Sequence, residues 1–118
     1  MLRVINVTKG ACLAEKARLA SGFWSRAMGL WGRPSLEQGE GLVICPCRAV
    51  HTFGMRFPLD VVHLDGAGRV CGLALNLPPY RLGPVLRETR LVIELPAGTI
   101  KGTGTGIGDQ ILVLRDVV

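Results

Sequence analysis

Aromatic residues are scarce in this chain: two Trp, one Tyr and three Phe, 5% of 118 residues. Lysine is scarcer than the net charge of +5 suggests, since Lys9, Lys16 and Lys101 are the whole set and scattered arginines carry the rest. Nucleic-acid surfaces usually combine clustered basic residues with aromatics, so both shortages argue against a nucleic-acid partner. The arginines read instead as partners for Asp and Glu on a solvated surface. Charged residues amount to 19%, too few to keep a chain disordered. No apolar run approaches the ~20 residues of a membrane-spanning helix, and the first residues alternate where a secretory segment would be continuously apolar. Without such a segment, Cys12, Cys45, Cys47 and Cys71 suit a reducing cytoplasm better than a disulfide framework. Cys12 and Cys71 read as small core residues. One soluble domain over residues 1–118 is the expectation, since domains commonly run about 100–150 residues.

What is plentiful is short alternation punctuated by glycine and proline. Met1 to Val7 reads as a first strand, and Thr8-Lys9-Gly10 as its turn. Ala11 to Ala20 fits a strand or a strand-to-helix transition, because its apolar positions match neither period. Ser21 would cap a helix over Gly22 to Trp31, with Trp24, Ala27, Met28 and Trp31 on one face as packing residues. Gly41 to Cys45 is continuously apolar, as expected of a strand covered on both faces. Asp60 to Asp65 alternates, which puts Val62 and Leu64 in the core and leaves His63 half-exposed opposite. A turn at Gly66-Ala67-Gly68 leads to a strand over Arg69 to Leu77. The proline-rich run from Pro78 to Pro84 is a crossover loop. Arg90 to Leu95 and Gln110 to Leu114 supply the last strands, with Leu91, Ile93 and Leu95 facing inward and Arg90, Val92 and Glu94 opposite. The sum is an α+β, mainly β fold: a small antiparallel barrel-like or curled sheet of six to seven short strands with one short helix packed on it.

Three motifs have chemical readings that fail on spacing. The glycines of Gly102-Thr103-Gly104-Thr105-Gly106-Ile107-Gly108-Asp109 lack the sixth-place glycine of a dinucleotide fingerprint, and no Gly-Lys-Ser/Thr follows. They read as successive tight turns launching the final strand. Cys45-Pro46-Cys47 with His51 brings thiols and an imidazole close, but the one-residue spacer and the missing second pair argue against a metal. The same spacer argues against a dithiol redox pair. No cofactor motif is present, so no cofactor is expected.

The run Cys47-Arg48-Ala49-Val50-His51-Thr52-Phe53-Gly54-Met55-Arg56-Phe57-Pro58-Leu59-Asp60-Val61-Val62-His63-Leu64-Asp65 resembles the signature of the domain-of-unknown-function family 192, DUF192. Arg26-Ala27-Met28-Gly29-Leu30, Leu91-Val92-Ile93-Glu94-Leu95-Pro96-Ala97-Gly98 and Gly108-Asp109 resemble its other stretches, in the same order along the chain. The resemblance implies a small β-rich α+β domain and carries no assigned activity. The chain departs from the pattern where many relatives have a Trp-Met-Lys-Asn-Thr run, here His51 to Phe57, and where they have Phe in place of His63. The family's Lys/Asn pair is therefore not the carrier of a site here, and His63 has no family-wide role by this resemblance.

Both readings converge on His51 to Asp60, where polar side chains crowd a bend stiffened by Pro58. The candidate ligand-binding residues are His51, Thr52, Met55, Arg56, Asp60 and Arg26; the alternative for Asp60 is structural, satisfying loop backbone N–H groups or pairing with Arg56 or Arg26. A cleft taking a small polar or anionic ligand is the leading expectation. The competing ones are a protein-interaction adaptor using a sheet edge, and a hydrolytic or thiol-dependent enzyme using His51 with Asp60 or Cys47.

Overall fold

The computed structural model describes residues 1–22, 30, 33–47, 55–81, 83 and 85–115. Seven strands lie in one sheet: β1 (Leu2–Asn6), β2 (Ala11–Ala20), β3 (Glu40–Ile44), β4 (Leu59–Leu64), β5 (Val70–Leu77), β6 (Leu91–Pro96) and β7 (Ile111–Arg115). Their spatial order is β5-β4-β6-β3-β2-β1-β7, antiparallel throughout except for the parallel β2–β3 pair. The expected mainly β, curled architecture is what the chain adopts. Ala11–Ala20 is strand over its full length, and its unclear period has a cause: the β1–β2 register shifts twice, so inward and outward positions stop alternating.

The sheet curls until its two edge strands meet at one end. Arg69 and Gln110 form an antiparallel bridge, and the amides of Val70 and Ile111 donate to the carbonyls of Asp109 and Gly68, both at 2.9 Å. The β4–β5 hairpin that prepares this closure is held by Asp65, whose carboxylate accepts the amides of Ala67 (2.9 Å) and Arg69 (3.0 Å). Inside the curl lies one apolar core containing Val4, Ala17, Val43, Val62, Leu64, Ile93, Leu95 and Ile111.

A second core covers the outer face of the central strands. There Leu59, Val61, Val92, Leu42 and Ile44 pack under Leu30, Leu36 and Met55, with Cys47 and Phe57 against them. These covering residues belong to the connections 21–39 and 45–58. A sheet buried on both faces explains why β4 is buried at every position.

Of the helix expected over Gly22 to Trp31, residues 23–29 and 31 lie outside the described ones. A different helix, α1 (Thr99–Thr103), takes in the first two residues of the run Gly102 to Asp109 where successive tight turns were expected. It is a single turn between Gly98 (φ 96°) and Gly104 (φ 68°), both left-handed, and Ile100 carries it into the inner core. The tight-turn reading holds for Gly104 and Gly108, which take positive φ. The cysteine expectation also needs correction: Cys12 is exposed and Cys71 half-buried, because Cys12 stands opposite Ile5 on the outer side of the β1–β2 ribbon, beyond the reach of either core. No helix among the described residues is long and apolar enough to cross a membrane.

Candidate functional site

The candidate residues divide between the two faces of β4. Asp60 is the second residue of that strand and points toward α1. One carboxylate oxygen accepts the amide of Asn76 at 2.9 Å; the other accepts the amides of Gly98 at 3.1 Å and Ile100 at 2.8 Å. Asn76 sits at φ 53° beside the register shift between Leu59 and Val61, so Asp60 fills a bulge and caps a helix at once. Met55 lies on the opposite face, buried in the outer core, and Arg56 is exposed. The structure does not bring Asp60 together with Met55 or Arg56. His51, Thr52 and Arg26 lie outside the described residues.

The outer face contains two buried polar groups to which the sequence reading gave no binding role. Glu94 is the first, and it is 2% exposed. It stands opposite Leu42 of β3 and Val61 of β4, so all three side chains share the outer face. Among the described residues no hydrogen bond or ion pair holds its carboxyl. Burial among these aliphatic neighbours pushes its pKa up to about 7. A carboxylate on a central strand between Ile93 and Leu95 was the available signal. Strand alternation assigned it to the face opposite the core, where solvent was assumed.

His63 is the second. Expected to be half-exposed, it is fully buried, because the outer face has its own cover. Its Nδ1 lies 3.0 Å from Oγ1 of Thr89, also fully buried, and that oxygen lies 3.5 Å from the thiol sulfur of Cys71. Burial holds the imidazole below its ordinary pKa and therefore neutral.

Grooves elsewhere on the described surface contain none of these groups. One of about 740 Å³ runs past Arg3, Cys12 and Lys16, and another of about 400 Å³ past Gln38, Gly98 and Thr103. Both are open, and the polar side chains lining the first are exposed. Among the described residues no three His, Cys, Asp or Glu side chains converge as a metal site.

Solved structures share this arrangement of strands. A Novosphingobium aromaticivorans protein of unknown function superposes with a TM-score of 0.82 at 24% identity, over 94% of this chain and 82% of that one. A Sinorhizobium meliloti protein, provisionally described as a transcription regulator, gives 0.80 at 23% identity over 95% and 91%. At these identities the likeness is one of fold. A UPF0127 protein of Pyrococcus furiosus is 28% identical over 113 residues, covering 92% of this chain and 95% of its own length. A UPF0127 protein of Thermococcus sibiricus is 29% identical, over 92% and 72%. Strands β2 to β6, the Asp60 bulge and the stretch ending in Gly98 all fall within residues 4–113, which match the profile of DUF192, described as an uncharacterized ACR; the chain belongs to that family.

Proposed function

We propose that this chain is a small-molecule-binding domain whose site lies on the outer face of the sheet, beneath the connections 21–39 and 45–58. One observation carries the reading: Glu94 keeps a carboxyl buried among Leu42, Val61 and their neighbours without a partner from the described residues. Burying such a group costs several kcal/mol unless something pairs with it, so an apolar side chain would serve packing better. A mainly aliphatic wall with few polar groups is the usual make-up of a ligand site. Met55 supplies part of that wall. Arg26, His51 and Thr52 lie outside the described residues and Arg56 is exposed, and these four remain in the proposal as contacts. Asp60 is assigned to the fold.

Catalysis by His51 with Asp60 draws no support from this geometry, since the amides of Asn76, Gly98 and Ile100 already engage both oxygens of that acid. A cytoplasmic location is proposed with the binding role, in keeping with the free thiols of Cys12, Cys45 and Cys71. The test is a thermal-shift screen across metabolite classes with the wild type and Glu94→Leu. A compound class that raises the wild-type Tm and leaves Glu94→Leu unmoved supports the reading. Equal responses in both proteins, or none in either, overturn it.

A further inference from the structure

His63 and Glu94 share the outer face as diagonal neighbours. Val61 pairs with Glu94 and His63 with Val92, so the two polar residues are offset by one step across β4 and β6. Such diagonal positions have backbones roughly 7–8 Å apart, close enough for one small molecule to touch both side chains. The Nε2 of His63 is buried and has no hydrogen-bond partner among the described residues. A buried ring nitrogen left unpaired costs about 1–3 kcal/mol. The other nitrogen is fixed on Thr89, so the ring cannot turn to relieve it without losing that bond. An orphaned ring nitrogen and a buried carboxyl thus stand side by side in an aliphatic wall.

Resting on the binding reading above, we propose that the ligand is a small uncharged molecule of the carboxamide type. Its polar end bridges Nε2 of His63 and the carboxyl of Glu94, and its apolar body lies along Val61 and Met55. Charge selects this class. An anion would surrender its hydration in an aliphatic wall where no buried cation among the described residues meets it. Arg18, beyond Leu42 in the same cross-strand row, and Arg56 at the rim are exposed and stay in water. A cation would surrender its hydration where one carboxyl is the only counter-charge among the described residues. An uncharged donor–acceptor pair satisfies both groups and strips no ion of its water. Burial favours the neutral forms of both side chains, which fits the same choice.

Three probes of equal size and different charge test this: propionamide, propylammonium and propionate. Each is titrated into the full chain carrying ¹⁵N-labelled His and ¹³C-labelled Glu, and the His63 ring nitrogens and Glu94 carboxyl carbon are followed. The expected result is saturable movement of both signals with propionamide alone, weakened about five- to tenfold in His63→Phe and in Glu94→Leu. Saturation by propionate or propylammonium in its place overturns the uncharged assignment and leaves the binding reading standing. Movement of Glu94 with His63 unmoved removes the bridge. If no probe moves either group and both variants are more stable than wild type, inference and binding reading fall together. The titrations use the wild-type chain, so they decide even where a variant does not fold.

Discussion

The carboxylate of Asp60 holds the amide of Ile100 at 2.8 Å, so a residue of β4 caps a helix forty residues further along the chain. Gly98, at the N-cap position, has no side chain with which to do this. The same carboxylate holds Gly98 and Asn76, which makes it the junction of β4, β5 and α1. Asp60→Ala leaves three amides without their acceptor and is expected to cost about 3–5 kcal/mol. Asp60→Asn keeps one carbonyl oxygen and should cost less than half as much. Urea unfolding with an unchanged m-value checks both. A loss below about 1 kcal/mol in Asp60→Ala would show that the junction is held by packing.

Glu94 predicts a pH dependence of the opposite sign to that of most carboxylates. Its folded pKa, about 7, lies above its ordinary 4.5, so the folded state holds the proton more tightly than the unfolded chain. That contribution to stability is complete below about pH 4.5 and is lost as pH rises through 7, by about 3 kcal/mol in all. Glu94→Gln cannot titrate. Its stability between pH 4.5 and 7.5 should therefore lack the decline seen in wild type, measured by chemical unfolding at a series of pH values. Parallel curves for the two proteins would mean that Glu94 is ionised in the folded chain.

His63 works from the other side. Its folded pKa is depressed, so the neutral ring contributes stability above the unfolded value of 6.5, and protonation of the unfolded chain removes that contribution as pH falls. His63→Phe should remove the acid-side loss below pH 6.5 and leave the alkaline side unchanged. The double variant with Glu94→Gln should be nearly flat from pH 5 to 8. An acid limb that persists in His63→Phe would assign that loss to other groups.

The strands were legible because each has one face on the inner core, and alternation reports that face directly. Val62 and Leu64, or Ile93 and Leu95, announce β4 and β6 without help from anything distant. Alternation cannot report whether the other face meets water. Alternation therefore turns His63 and Glu94 outward, and it is silent about the cover on that face, which includes Leu30, Leu36 and Met55. Helix α1 was illegible for a different reason: five residues containing Gly102 carry too little periodicity or propensity, and its cap comes from Asp60. The polar crowding at His51 to Asp60 was visible, but sequence distance does not show that Met55 and Asp60 leave the chain on opposite faces.

The barrel closes over a glycine that no other residue replaces freely. Gly68 has φ +79°, and a Cβ there would come within 3.0 Å of the Ile111 carbonyl oxygen and 2.9 Å of the Gln110 side-chain nitrogen. The Ile111 amide donates to the Gly68 carbonyl, so strain at this point is transmitted directly to the β5–β7 closure. Gly68→Ala is expected to destabilise by about 1–3 kcal/mol. Amide exchange should quicken at Val70 and Ile111 before it changes at Val62. Uniform quickening over the sheet would mean that the closure has no separate stability.

Asp109 fastens the other half of that closure. Its carboxylate accepts the side-chain amide of Asn6 at 3.0 Å, the amide of Gly106 at 2.9 Å and the ammonium of Lys9 at 3.2 Å, tying the β1–β2 turn to the glycine-rich run before β7. The Asn6 bond leads the influences that hold its pKa below the ordinary carboxylate value, followed by the Gly106 amide and Lys9. The linkage has the usual sign for an acid: stability is present above the unfolded pKa and lost as pH falls through the folded one. Lys9 is well exposed, so its pairing is screened by water, and Lys9→Met should matter little. Asn6 is fully buried and also donates to Thr105 at 3.1 Å. Asn6→Ala should therefore raise the Asp109 pKa toward its ordinary value and start acid unfolding at a higher pH, read from the carboxyl ¹³C shift and a pH melt. A larger shift in Lys9→Met than in Asn6→Ala would reverse this ranking and make the anchor chiefly ionic.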